Sequence, residues 1–214
     1  MTHNIVLFDD HTLLRNGIKN WIETHSDFKI KYEAGTFEDY KDVIDKIKTS
    51  KSNSYIAIVD ISFKTEHHSQ HEENYGFEII KEIREFGIPS IVYSSHDSGG
   101  FVERAVSSEI GAKGFVSKTA DESVLLSALN AVAEGGTYIQ AELVSGLLEV
   151  RDITQTFTKK EKLVADSLTL YNTNADVGAK LGITEKTVVN YLTMLYDKAG
   201  VSNKIQFLEK MGQI

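Results

Sequence analysis

Asp60 closes the apolar run Ile56-Ala57-Ile58-Val59, and the pair Asp9-Asp10 closes a second, Ile5-Val6-Leu7-Phe8. Three carboxylates brought together repel one another, and a divalent cation relieves that repulsion. An all-oxygen set of this kind suits Mg²⁺, which keeps several waters and accepts phosphate oxygens. Ser94 ends the run Ile91-Val92-Tyr93, and Lys118 follows Gly114-Phe115-Val116-Ser117. A hydroxyl donor and a lysine point charge are the groups that bind the remaining phosphoryl oxygens. Asp60 is the expected nucleophile, being last on the central run, with Asp9 and Asp10 left to hold metal. An aspartyl phosphate is a known covalent intermediate.

These residues meet only if their runs are neighbouring strands of one parallel sheet. Ile56–Asp60, flanked by Lys51-Ser52-Asn53-Ser54 and Ser62-Phe63-Lys64, reads as a strand buried on both faces, as parallel sheets require. Further strands are expected at Asn4–Phe8, Lys29–Ala34, Ser90–Ser94 and Gly114–Ser117. Helical patterns fall at Thr12–Thr24, Glu38–Thr49, Phe77–Phe86, Gly100–Ile110 and Asp121–Glu134. In the last, Val124, Leu125, Ala128, Leu129 and Val132 make one apolar face. Five βα units predict an α/β fold, a (βα)5 doubly wound parallel sheet with right-handed crossovers. The carboxyl ends of its strands share one edge, so Asp9, Asp10, Asp60, Ser94 and Lys118 should converge there.

Beyond Gly135-Gly136, which stops the last of these helices, the alternation ends. A short amphipathic piece, Gln140–Val150, leads to Arg151-Asp152, and we read 135–156 as a linker between a domain at 1–134 and one at 157–214. The second domain is expected to be all-α, with helices near Lys159–Leu170, Ala175–Leu181, Glu185–Ala199 and Asn203–Met211. Thr158-Lys159-Lys160-Glu161 is a capping box. Gly182-Ile183-Thr184 makes the turn of a helix-turn-helix, whose second helix enters the DNA major groove.

Charge divides the chain at the same place. Residues 152–214 carry eight Lys against seven acids, while residues 1–151 carry 15 basic and 24 acidic residues. The acidic half is poorly suited to nucleic acid, which points to different partners for the two domains. The chain lacks cysteine, so disulfides and Cys-ligated zinc are excluded. No apolar run approaches the roughly 18 residues of a membrane span, and a soluble, cytoplasmic protein is expected.

On these residues the first domain resembles the receiver domain of two-component response regulators. The resemblance implies that Asp60 accepts a phosphoryl group from a histidine kinase, assisted by Ser94 and Lys118. It also implies that Asp9, Asp10, Asp60 and the backbone carbonyl of Ser62 hold Mg²⁺, and that Phe115 is the aromatic switch. The chain departs from the pattern between Asp60 and Gly76, a connection roughly eight residues longer than usual. There His67 and His71 are spaced for one helical face, which suits a metal or pH-sensing role, although a solvated loop is the simpler reading.

The second domain resembles the LuxR/NarL-type effector domain in Thr158…Glu161, Asn174-Ala175-Asp176-Val177-Gly178, Thr184-Glu185-Lys186-Thr187-Val188 and Lys198-Ala199-Gly200-Val201. Phosphorylation is thereby expected to control homodimerisation and binding to double-stranded DNA. Lys186, Val189, Asn190 and Thr193 point away from the buried face of the second helix. Asn190 has the groups to pair with adenine, and Val189 to touch a thymine methyl. Lys186, Asn174, Asn203 and Lys204 are expected at phosphates. Val189, Tyr191 and Thr193 stand where the family commonly has basic or His residues, which weakens the salt-dependent part of DNA affinity. Two other readings remain: a helical domain that binds protein instead of DNA, and an Asp-nucleophile phosphohydrolase. The second is disfavoured because its usual second Asp, two positions after the nucleophile, is Ser62 here.

Overall fold

The computed structural model describes residues 4–50, 54–63 and 75–214. Its first elements are β1 (Asn4–Phe8), α1 (Thr12–His25), β2 (Lys29–Ala34), α2 (Phe37–Thr49), β3 (Tyr55–Val59), α3 (Tyr75–Glu85), β4 (Ser90–Ser94), α4 (Gly99–Val106), β5 (Gly114–Ser117) and α5 (Glu122–Ala133). They are followed by β6 (Tyr138–Ile139), α6 (Ala141–Gln155), α7 (Lys159–Ser167), α8 (Asn174–Leu181), α9 (Glu185–Ala199) and α10 (Lys204–Lys210).

All described strands run parallel in one sheet of order β2-β1-β3-β4-β5-β6. β3 lies near its centre with all five residues buried, as its unbroken apolar run requires. Side chains alternate across the sheet. Ile5, Leu7, Ile56 and Ile58 pack with Ile22 of α1 and Leu125 and Leu129 of α5. Phe8 faces the other way, with its ring edge against Tyr40 of α2. Each of these apolar side chains contributes about 1.5–3 kcal/mol when fully buried.

The sixth strand is a difference from the five expected. After Gly135, which adopts the left-handed φ of a helix stop, Tyr138 N–H donates to Lys113 O and Gln140 N–H to Phe115 O. Two residues are too few to show an alternation, so the open edge of β5, not the local pattern, selects this strand. The stretch after it is a full helix of 15 residues, longer than the amphipathic piece expected.

By internal contacts the chain divides into two units, Met1–Asp97 with Arg104–Ala141 and Ser98–Glu103 with Glu142–Ile214. In the second, Val164, Leu168, Val177, Val188, Leu192, Leu195 and Phe207 form the core between α7, α8, α9 and α10. Thr158, Thr173, Thr184 and Asn203 cap the N-termini of these four helices, each accepting a backbone N–H. Gly182 ends α8 in the left-handed conformation, where a side chain would be strained, and thereby sets the turn into α9. No helix among the described residues is long and apolar enough to cross a membrane.

Candidate functional site

The pairing of β1 with β3, Phe8 opposite Val59, fixes where the acids meet. Asp60 N–H donates to Phe8 O at 2.8 Å, carrying the register one residue past the strands and setting Asp60 beside Asp9. Both are almost fully buried. One carboxylate or imidazole atom from each of Asp9, Asp10, His11 and Asp60 fits within a span of 4.8 Å.

Lys118 supplies the positive charge. Its Nζ donates to Asp60 Oδ2 at 2.7 Å and lies 2.7 Å from Asp9 Oδ2. Burial alone would lower the Lys118 pKa, but the hydrogen bonds and charges of Asp60 and Asp9 outweigh it and raise it. Lys118 N–H donates to Ser94 O, so the lysine is tied to β4 as well as β5. Ser94 is fully buried, and its Oγ accepts the N–H of His96 at 3.2 Å. Phe115, expected as the switch, is fully buried within β5.

The cradle around Asp60 is closed by backbone. Ser62 N–H donates to Asp60 Oδ1 at 3.2 Å, and Gly76 N–H, in the first turn of α3, donates to Ile61 O. A methyl group on Gly76 would lie 2.1 Å from Asp60 O, so only glycine permits α3 to approach this closely. On the other side, Arg15 of α1 donates to the carbonyl of Asp9, and Asp9 Oδ1 accepts the N–H of His11 at 2.8 Å.

The donor set fits a hard divalent cation. Asp10 Oδ1 is buried and makes no hydrogen bond among the described residues, and His11 Nδ1 lies 2.9 Å from it, close enough for an ion pair when the imidazole is protonated. A buried carboxylate oxygen that makes no hydrogen bond, beside two buried carboxylates, is compatible with a bound cation. Sequence reasoning missed His11, although it directly follows Asp9-Asp10. It also missed Gly76, whose role shows only in the approach of α3. His67 and His71 lie outside the described residues.

The second set of residues lies on α8, α9 and α10. Lys186, Val189, Asn190 and Thr193 are exposed on one stripe of α9, opposite the buried Val188, Leu192 and Leu195. Tyr191 packs against that core from its edge. Thr193 Oγ1 donates to Val189 O, one turn back, and Lys186 is the stripe's only cation. Val189 and Met194 leave 44% and 47% of their surface open, making this face unusually apolar. Asn174 opens α8 half-buried. Lys204 is turned inward, where its Nζ donates to Tyr171 O at 3.2 Å.

The α7–α9 pair is fastened by Glu161 and Lys198. Glu161 is fully buried, accepts Thr158 N–H in the capping box and pairs with Lys198 Nζ at 2.7 Å. Hydrogen bonding to Lys198, helped by Thr158 N–H, holds the Glu161 carboxyl below the usual range.

Residues 5–130 match the response regulator receiver domain, and residues 155–211 match the luxR family of bacterial regulatory proteins. Over its length the chain is similar to the transcriptional regulatory protein UhpA of Salmonella typhimurium, with 28% identity covering 97% of this chain and 96% of that one. It is also similar to the transcriptional regulatory protein DegU of Brevibacillus brevis, with 25% identity covering 94% and 89%. The two-component response regulator RcsB in complex with DNA shares the fold, with a TM-score of 0.69 and 22% identity over the whole of both chains. So does RcsB of Salmonella enterica serovar Typhimurium bound to promoter P1flhDC with the phosphomimetic BeF3-, with a TM-score of 0.71 and 20% identity, covering all of this chain and 99% of that one.

Proposed function

The chain belongs to the response regulator receiver domain family, and on that premise we propose that it is a cytoplasmic two-component response regulator that controls transcription. A histidine kinase donates a phosphoryl group to Asp60. The modified chain dimerises, and its helical unit binds double-stranded DNA at specific sequences. The observation that carries this reading is the meeting of Asp9, Asp60 and Lys118 at three strand ends, with 2.7 Å from the ammonium to each carboxylate.

In the transfer, an Asp60 carboxylate oxygen attacks phosphorus, the P–N bond of the donor phosphohistidine breaks, and the imidazole leaves with its electron pair and takes up a proton. Lys118 exchanges one carboxylate for a phosphoryl oxygen, and the Ser94 hydroxyl donates to another. Asp9, Asp10, Asp60 and the carbonyl of Ser62 would hold Mg²⁺, which would supply positive charge to neutralise the phosphoryl oxygens. The protein catalyses its own modification and is not a metabolic enzyme.

On α9, Asn190 reads adenine and Val189 a thymine methyl, with Lys186 and Asn174 at phosphates. Lys204 reaches a phosphate only by leaving Tyr171 O. A second reading, in which the helical unit binds protein instead, is favoured by the exposed Val189 and Met194.

The test is phosphodonor labelling of the wild type and Asp60→Asn, with and without Mg²⁺, read by intact mass. The expected result is one phosphoryl adduct, absent in the variant and without the metal; an adduct retained by Asp60→Asn overturns the assignment. Steady turnover of phosphomonoesters would instead indicate a phosphohydrolase. A gel shift over a genomic fragment library decides between DNA and protein binding, since the protein-binding reading retains no fragment.

A further inference from the structure

Ser117, the residue before Lys118, is the hub of a partly buried hydrogen-bond knot that phosphoryl chemistry does not use. Its Oγ donates to Asp97 Oδ2 at 2.6 Å and lies 2.8 Å from Thr119 Oγ1, and it accepts the N–H of Thr119 at 3.2 Å. Its backbone N–H donates to Gln140 Oε1 at 2.8 Å. Ser117 and Gln140 are both buried, so the bond between them is shielded from water.

Each arm of the knot reaches a different place. Asp97 closes the loop Ser95–Asp97 that follows Ser94, and this loop is held at its other end by His96 N–H on Ser94 Oγ. Gln140 is the residue immediately before α6. Because β6 ends at Ile139, the Ser117 N–H lies beyond the last paired residue of that strand, and the Gln140 amide oxygen takes the place of a strand carbonyl. Gln140 is thus tied, through its side chain, to the strand end that carries Lys118.

We propose that Gln140 and Ser117 are a coupling relay that conveys occupancy of the acidic pocket to the start of α6; the proposal rests on the reading of Asp60 as the phosphoacceptor. When the Ser94 hydroxyl turns to a phosphoryl oxygen on Asp60, His96 N–H loses the orientation of its acceptor and the loop shifts. Asp97 then withdraws from Ser117 Oγ, the end of β5 re-pairs, and the Gln140 bond follows. Both ends bias the same discrete element, which is the physical requirement for coupling.

The experiment compares hydrogen exchange at the amides of residues 141–146 in the full chain, with Mg²⁺ alone and with Mg²⁺ plus beryllofluoride. Wild type, Gln140→Leu, Gln140→Glu and Ser117→Ala are compared, and phosphodonor labelling by intact mass is run on each. In the wild type beryllofluoride should change exchange by about tenfold, the size of one buried hydrogen bond. Gln140→Leu should reduce that response below about twofold while labelling stays at one adduct, and Gln140→Glu, which keeps the acceptor oxygen, should restore it. A merely structural role would raise exchange equally in both states and leave their ratio unchanged, which overturns the proposal. So does a wild type whose α6 amides do not respond. Ser117→Ala, which loses the Asp97 arm, decides the matter should Gln140→Leu fail to fold. Absence of any adduct in the wild type is the separate failure, that of the phosphoacceptor reading.

Discussion

Lys118→Met removes the ammonium that two buried carboxylates share and keeps most of the side chain's volume. Asp9 and Asp60 are 1% and 2% exposed, and Lys118 keeps only 13% of its side-chain surface open, so water replaces little of the lost charge. With the ammonium gone nothing offsets the repulsion between the two carboxylates, which for oxygens no more than 4.8 Å apart is at least about 3.5 kcal/mol at an effective dielectric of about 20. This agrees with the roughly 3–5 kcal/mol typical when one partner of a buried pair is deleted. The assay is urea unfolding at neutral pH, followed by the fluorescence of Trp21, the single tryptophan, which packs against the core of the first unit. For a slope of about 2 kcal/mol/M the midpoint should fall by roughly 2 M without divalent cation. Mg²⁺ should bind the variant more tightly, since no ammonium opposes it, and each tenfold gain in affinity narrows the gap by about 1.4 kcal/mol. A variant as stable as the wild type without Mg²⁺, or a gap that Mg²⁺ leaves unchanged, would refute the reasoning.

Gly76→Ala should destabilise by about 1–3 kcal/mol and slow labelling of Asp60, because the added methyl meets backbone atoms of Asp60 and Ile61. Alanine is otherwise the better helix former, by up to about 1 kcal/mol, so the sign in urea unfolding decides. Glu161, with its folded pKa lowered chiefly by Lys198, adds stability that is present above the unfolded carboxyl value near 4.3 and is lost as pH falls through the folded value. Glu161→Gln should flatten that acid limb in helical circular dichroism; an unchanged limb contradicts the pairing. Val189→Lys adds a cation to the exposed stripe of α9 and should tighten DNA binding and steepen the salt dependence by about one unit of slope, measured by fluorescence anisotropy. A slope that does not move would place Val189 away from DNA.

What the sequence settled by itself follows from runs and ends. Ile56–Val59 is long and apolar enough to be a buried strand, and a strand ending on acid sends that acid to the one edge where parallel strands all finish. The meeting of Asp9, Asp60 and Lys118 at that edge was therefore legible. Thr158 with Glu161, and Gly182 with Thr184, announced the helices they bound, because caps and stops act within a few residues.

Tertiary structure decided what depends on partners distant in the chain. Tyr138–Ile139 is a strand only because β5 offers an open edge, and Gln140 becomes an acceptor only because Ser117 N–H outlasts that pairing. Lys204 and Tyr171 are 33 residues apart, Ser117 and Asp97 are 20 apart, and no local pattern encodes either hydrogen bond. Periodicity records which face of an element is buried. It carries no record of which polar group arrives opposite, since that is fixed when the elements pack.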